Sequence, residues 1–241
     1  MGKFSFKQFE VDDSRCGMKV GTDSVLLGAW TPAPVADNAR FDVLDIGTGC
    51  GLLALMIAQR FANASVTAIE IDPAAADAAR ENVARSPWAE RIDVLTGDIM
   101  VANFDRRFDL IISNPPFFKE TILSPEAKRS LARHGDGFDL LTLISLAPGL
   151  LNENGLLTFV APAARDAEIT FNATMARLMP IEKCIVARNK SRQPTRILYT
   201  FTPRNCTLRC PNIPTHLYID DSTGQPSDQY RALTSPFYLN F

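Results

Sequence analysis

The sequence predicts an α/β fold: a mostly parallel sheet of seven strands, helices on both faces, and an antiparallel strand closing one edge. Three observations predict it. From residue 41 onward, short β-branched and apolar runs alternate with helix-patterned segments, the order that gives parallel strands joined by crossover helices. A glycine-rich turn separates the first such run from the first helix, and three successive runs end near a carboxylate. In an open parallel sheet the carboxyl ends of the strands share one rim, and ligands bind there.

Phe41 to Ile46 reads as a strand that leads into Gly47-Thr48-Gly49-Cys50-Gly51, and Leu52 to Ala58 is a strong helix former. Ser65 to Ile69 is the second strand, ending in Glu70. Pro73 to Arg85 is a helix, with Asp72 as its cap and proline at its first position. Arg91 to Thr96 is a strand closing on Gly97-Asp98-Ile99. Phe108 to Ile112 is apolar enough for an interior strand, and it breaks into Ser113-Asn114-Pro115-Pro116-Phe117-Phe118. Phe138 to Leu151 reads as a helix strained at Pro148, ended by Asn154-Gly155 before a strand from Leu156 to Ala161. Asp166 to Leu178 is a further helix, and Ile181 to Ala187 with Arg196 to Thr202 forms the closing antiparallel pair. With 46% hydrophobic residues and no repeat, the chain reads as one domain over 1–241. It divides into an extension at 1–40, a core at 41–202 and an ordered but irregular, proline-containing tail at 203–241.

The chemistry is expected on the rim. Gly47, Gly49 and Gly51 let the backbone pass close to a ligand, and the helix that follows offers free N–H groups. Glu70, about 20 residues on, stands where a carboxylate takes ribose hydroxyls. Asp98 suits an adenine amine, with Ile99 covering the ring. The spacing is G-x-G-x-G, and Leu52 falls where a dinucleotide fingerprint needs its third glycine. Asp45, two residues ahead of Gly47, suits a cationic ligand. S-adenosylmethionine, with a ribose, an ammonium and no phosphate, fits this set better than a nicotinamide or flavin cofactor. At the fourth strand tip, the Asn114 side-chain carbonyl and the Pro115 main-chain carbonyl would each accept one hydrogen of a planar amino group. Phe117 would stack on the ring that carries the amine, and of Phe117 and Phe118 one is expected inward and one toward the slot.

These motifs resemble, in order, those of class I S-adenosylmethionine-dependent N-methyltransferases. The stretch Cys16-Gly17-Met18-Lys19-Val20-Gly21-Thr22-Asp23-Ser24-Val25-Leu26-Leu27-Gly28-Ala29-Trp30 and the ending Tyr230-Arg231-Ala232-Leu233-Thr234-Ser235-Pro236-Phe237-Tyr238-Leu239 narrow the likeness. Together they are similar to the bacterial tRNA(Val) adenosine N6-methyltransferase family. The resemblance implies a Rossmann-like methyltransferase fold and methylation of an adenosine beside the anticodon, the tRNA anticodon loop being the partner. It places the cofactor on Gly47, Gly49, Gly51, Glu70 and Asp98, the amine clamp on Asn114 to Phe117, and the Thr22-Asp23 pair over the cofactor's methionine end. The nearest alternatives are N5-methylation of a protein glutamine, whose enzymes typically carry tyrosine in place of Phe117, and N-methylation of another RNA or DNA base. A nicotinamide oxidoreductase and an RNA-binding module without catalysis are further rivals.

A net charge of −2 does not advertise a nucleic-acid binder, but its distribution does. Between Lys183 and Arg209 there is no acidic residue, and Arg188, Lys190, Arg192 and Arg196 flank what reads as an exposed hairpin loop. A second basic group, Lys119, Lys128, Arg129, Arg133 and His134, follows the amine clamp. Lys119, Arg133 and His134, with Pro116 and Phe118, are the candidate RNA contacts there. Five cysteines, no signal peptide and no long apolar stretch predict a reduced cytoplasmic protein, without membrane anchor or obligate protein partner. Cys206 and Cys210 lack the further ligands a zinc site needs, so no metal is expected. Cys50 is expected to be a small packing residue, not a nucleophile.

Overall fold

The computed structural model describes residues 2–34, 39–116, 138–207 and 214–240. A two-stranded hairpin, β1 (Lys3–Ser5) and β2 (Glu10–Asp12), precedes helix α1 (Thr22–Trp30). The central run is β3 (Phe41–Ile46), α2 (Leu52–Arg60), β4 (Ala64–Glu70), α3 (Pro73–Ala84), β5 (Ile92–Thr96) and β6 (Phe108–Ser113). Then follow α4 (Leu140–Leu150), β7 (Leu151–Pro162), α5 (Asp166–Met175), β8 (Leu178–Ala187), β9 (Arg196–Pro203), β10 (Thr215–Tyr218) and α6 (Asp228–Thr234).

The sheet has eight strands in the order β10-β8-β9-β7-β6-β3-β4-β5, one more than the expected seven. The extra strand is β10, which pairs parallel to β8 from Thr215 opposite Cys184 to Tyr218 opposite Ala187. β3 to β7 are mutually parallel, and β9 runs antiparallel to β7 and β8. The chain winds outward from β3 through β4 to β5, then returns to β6 on the other side of β3. That reversal opens a crevice at the carboxyl ends of β3 and β6, the place where such sheets bind ligands.

Side-chain alternation along β3 divides the core. Phe41 and Val43 face a layer formed with α1, α2 and α3, while Leu44 and Ile46 face the layer that includes α4 and α5. α2 is apolar nearly all round and is buried from Leu52 to Ala58, because both chain ends cover it. Phe6, Phe9, Tyr230 and Phe237 belong to the same cluster. Lys7 N donates to Phe237 O at 2.8 Å, and Gln59 Nε2 donates to Pro236 O at 2.9 Å.

Three boundaries differ from expectation, each for a local reason. α4 ends at Leu150 and β7 begins at once, so Asn154-Gly155 lies inside a strand, not at a helix end. The register of β6 on β7 shifts between Phe108 and Leu110, and a Cβ at Gly155 would come within 2.8 Å of the Phe108 carbonyl oxygen. The glycine permits that close approach. α5 stops at Met175 because Arg177 adopts a left-handed φ of 58°, turning the chain straight into β8. Asp72 caps α3 as expected, accepting from Ala74 N at 3.0 Å with Pro73 at the first helical position.

Candidate active site

The turn after β3 follows from its glycines. Gly47, Gly49 and Gly51 have φ of 69°, 56° and 82°, values that L side chains rarely adopt. A Cβ at Gly47 or Gly49 would meet nothing within 4 Å, so the space above these two glycines is open. The turn is held from two sides. Glu70, at the tip of β4, accepts from Gly49 N at 2.8 Å through Oε2 and from Asp72 N at 3.0 Å through Oε1. A carboxylate has about four lone-pair sites, so Glu70 retains acceptor capacity toward the cleft it lines.

Asp45 holds the turn from beneath. It shares the Val43 side of β3, is fully buried, and its Oδ2 accepts from Thr48 Oγ1 and from Ala54 N at 3.1 Å. Its Oδ1 is buried without a partner among the described residues. Burial above all pushes its pKa up to about 7, against the lowering effect of the Thr48 and Ala54 bonds, with nearby Glu70 adding a smaller upward push. Asp45 was expected to meet a cationic ligand directly; the fold makes it first a brace for the glycine turn. Thr48, which the sequence reading left unassigned, is its partner. Cys50 is 5% exposed, and its hydrogen bond with Cys16, followed by burial, raises its thiol pKa above the usual value, so it is no thiolate.

The tips of β4 and β5 complete a cleft of about 280 Å³ including its open mouth, lined by Gly47, Ile69, Glu70, Asp98, Ile99 and Phe138 among others. Asp98 Oδ1 closes a turn by accepting from Met100 N at 2.9 Å, and Ile99 is 8% exposed against the Leu44 and Ile46 layer. Its lining thus combines two carboxylates with apolar side chains, which suits a ribose and a flat heterocycle. An open cradle over Gly47 and Gly49, the Glu70 and Asp98 carboxylates and the unpaired Asp45 oxygen all fit S-adenosylmethionine.

Beside this cleft, Ser113 Oγ donates to Ile46 O at 2.8 Å and ties the β6 tip to the β3 tip. Asn114 follows directly. Its Nδ2 donates to Ser24 Oγ at 2.8 Å and lies 3.5 Å from Met18 Sδ, while its Oδ1 is buried and accepts nothing from a described residue. Pro115 is buried and Pro116 exposed. Thr22 is exposed at the start of α1, where Gly21 gives no side-chain cap. Phe117, Phe118, Lys119, Arg133 and His134 lie outside the described residues.

The β8–β9 turn lies on this rim, since β8 runs parallel to β7 and Arg196 pairs with Pro162 at the β7 tip. Lys190 and Arg192 are exposed there. Arg196 has an intramolecular partner, Nε donating to Asp23 Oδ2 at 2.7 Å, and Arg188 is paired with Asp220 at 2.8 Å although 75% exposed. No described helix is long and apolar enough to cross a membrane, and among the described residues no cluster of His, Cys, Asp or Glu is placed to hold a metal ion.

Sheet order, glycine turn and acidic strand tips define a class I S-adenosylmethionine-dependent methyltransferase. The methyltransferase small domain model matches residues 33–184. A predicted O-methyltransferase from Agrobacterium tumefaciens superposes with a TM-score of 0.64 at 20% identity, covering 89% of this chain and 96% of that one. The glycopeptide N-methyltransferase MtfA, solved with S-adenosyl-L-methionine, gives 0.54 at 15% identity, covering 76% and 94%. Proteins named tRNA1(Val) (adenine(37)-N6)-methyltransferase are far closer in sequence. That of Porphyromonas gingivalis is 42% identical over 240 residues and that of Salmonella arizonae 44% over 239, each alignment covering 98% of this chain and 94% of the relative. The chain belongs to this tRNA1(Val) (adenine(37)-N6)-methyltransferase family.

Proposed function

We propose that this protein transfers a methyl group from S-adenosylmethionine to the exocyclic N6 of the adenosine just 3′ of the anticodon in tRNA(Val). The observation that carries the reading is Asn114 Oδ1, a buried amide oxygen with no partner among the described residues, on the rim beside the glycine turn. An unmet buried acceptor costs about 1–3 kcal/mol, and a substrate N–H placed on it relieves that cost. Because Oδ1 is covered, entry of the base includes a local rearrangement at the Asn114 turn.

Gly47, Gly49, Glu70 and Asp98 are the residues that would hold the cofactor, whose sulfonium supplies an electrophilic methyl. The N6 lone pair of adenine is conjugated with the ring and weakly nucleophilic. Asn114 Oδ1 and the Pro115 carbonyl, by accepting the two N6 hydrogens, favour a nitrogen whose lone pair points out of the ring plane. So oriented, the nitrogen would accept the methyl that the cofactor supplies and give up one proton to water. No side chain has to remove a proton first. Orientation of this kind supplies about 7–11 kcal/mol when the reacting atoms are held in near-attack geometry.

The target base must leave its neighbours to reach the clamp, which costs least in a single-stranded loop. Phe117 is the ring proposed to stack on it, a contact worth about 1–3 kcal/mol. Lys190 and Arg192, exposed on the same rim, are proposed phosphate contacts. The test is incubation of a tRNA(Val) transcript with S-adenosylmethionine, followed by nucleoside mass spectrometry. N6-methyladenosine should appear, and should be lost when the target adenosine is replaced by guanosine. Methylation that persists elsewhere in the transcript, or none at all, would remove the assignment.

A further inference from the structure

We infer that Ser24, assisted by the Met18 thioether, is the positioning residue that fixes which face of the Asn114 carboxamide meets the substrate amine. The inference rests on the reading of Asn114 Oδ1 as the acceptor of an N6 hydrogen. A carboxamide is nearly symmetric in shape, yet its two ends are chemically opposite: the oxygen accepts and the nitrogen only donates. Turned by 180° about its last bond, Asn114 would present N–H groups to an amine that also presents N–H groups, and the clamp would repel its substrate.

The fold supplies a reason for one orientation. Ser24 lies in the first turn of α1, 9% exposed, with Oγ 2.8 Å from Asn114 Nδ2. A hydroxyl alone is ambiguous, since it can donate as well as accept. The second neighbour resolves the ambiguity. Met18 Sδ lies 3.5 Å from the same nitrogen, and a thioether has no hydrogen to donate. With Nδ2 facing this pair, both of its hydrogens find acceptors; with Oδ1 there, an oxygen lone pair would face sulfur.

The N-terminal segment is itself anchored, so the pair is held in place. Asp23, beside Ser24, is bonded to Arg196 at 2.7 Å at the start of β9, and Val25 to Ala29 are buried in the main core. Asn82 Oδ1 accepts from Asp12 N at 2.9 Å, and its Nδ2 donates to Cys50 O at 2.8 Å, tying the N-terminal hairpin to the glycine turn. Residues remote in sequence from the clamp thereby set its polarity, through Asn114 and without touching the reacting atoms.

The experiment measures single-turnover methyl transfer to a tRNA(Val) transcript and S-adenosylhomocysteine affinity by calorimetry, in Ser24→Ala, Asn114→Ala, Asn114→Asp and Ser24→Ala combined with Asn114→Asp. Ser24→Ala should slow transfer about tenfold or more with S-adenosylhomocysteine affinity within about twofold of wild type, since a misoriented group costs rate rather than cofactor binding. A carboxylate accepts at both oxygens and has no orientation to lose. Adding Ser24→Ala to Asn114→Asp should therefore cost no more than about threefold. A wild-type rate in Ser24→Ala, a parallel loss of S-adenosylhomocysteine affinity, or the same loss in the Asn114→Asp background would overturn the inference. Asn114→Ala separates the two layers: if it transfers at the wild-type rate, the reading of Asn114 fails. If it is inactive while Ser24→Ala is unimpaired, only the role of Ser24 fails.

Discussion

Replacing Asp45 by Asn should change how stability depends on pH, and the size and sign of the change follow from burial. In the folded protein the Asp45 carboxyl is pushed up to about 7 from an ordinary 3.8, chiefly because no water reaches it. A folded pKa above the unfolded one means the native state holds its proton more tightly, so the associated stability is complete below about pH 4 and is lost as pH rises through about 7. At about 1.36 kcal/mol per pH unit, the interval from 3.8 to about 7 amounts to about 4 kcal/mol. Between pH 5 and pH 8 about 2–3 kcal/mol of this is expressed. Asn is neutral throughout and can still accept from Thr48 and Ala54 through its carbonyl. Urea unfolding of both proteins across pH 5 to 8, without cofactor, measures the difference. Wild type should lose about 2–3 kcal/mol relative to Asp45→Asn as pH rises. A difference that stays constant with pH would show that Asp45 is ionised at little cost, and that burial does not govern this site.

Other consequences can be measured separately. Gly49→Ala forces a side chain onto a φ of 56° and into the open space above the turn; S-adenosylhomocysteine affinity should fall about tenfold or more, at about 1–2 kcal/mol of strain. Unchanged affinity by calorimetry would mean that the turn does not cradle the cofactor. Gly155→Ala sets a Cβ 2.8 Å from the Phe108 carbonyl oxygen and should destabilise the fold by about 1–3 kcal/mol in urea unfolding, since the β6–β7 register has to give. Lys190→Ala combined with Arg192→Ala should weaken tRNA binding and make its logarithmic salt dependence shallower by about 1 to 2, with S-adenosylhomocysteine affinity unchanged. An identical salt slope would place the RNA elsewhere.

What the sequence revealed and what it concealed divide by range. The glycine turn, the Asp72 cap and the strands around them are set by neighbours a few residues apart, so β3, α2, β4 and α3 were readable to within a residue or two. β10 was not: Thr-His-Leu-Tyr sits in a proline-containing tail and becomes a strand only by pairing with Cys184–Ala187 about 30 residues away. Asn154-Gly155 misled because the same dipeptide that ends helices also accommodates a register shift. The burial of Asp45 had a legible signal, since it alternates with Phe41 and Val43 onto the face that the apolar helix α2 must cover. The Ser24 to Asn114 bond, spanning 90 positions, and the Asp23 to Arg196 pair, spanning 173, had none, because side-chain contacts between distant elements leave no local pattern.

The most direct measurement is a crystal structure of the protein with S-adenosylhomocysteine and an anticodon stem-loop carrying the target adenosine. The adenine N6 should lie about 2.7–3.2 Å from Asn114 Oδ1, with Nδ2 of the same amide still on Ser24. A base bound with its amine away from Asn114, or an amide turned so that Nδ2 faces the base, would contradict the account.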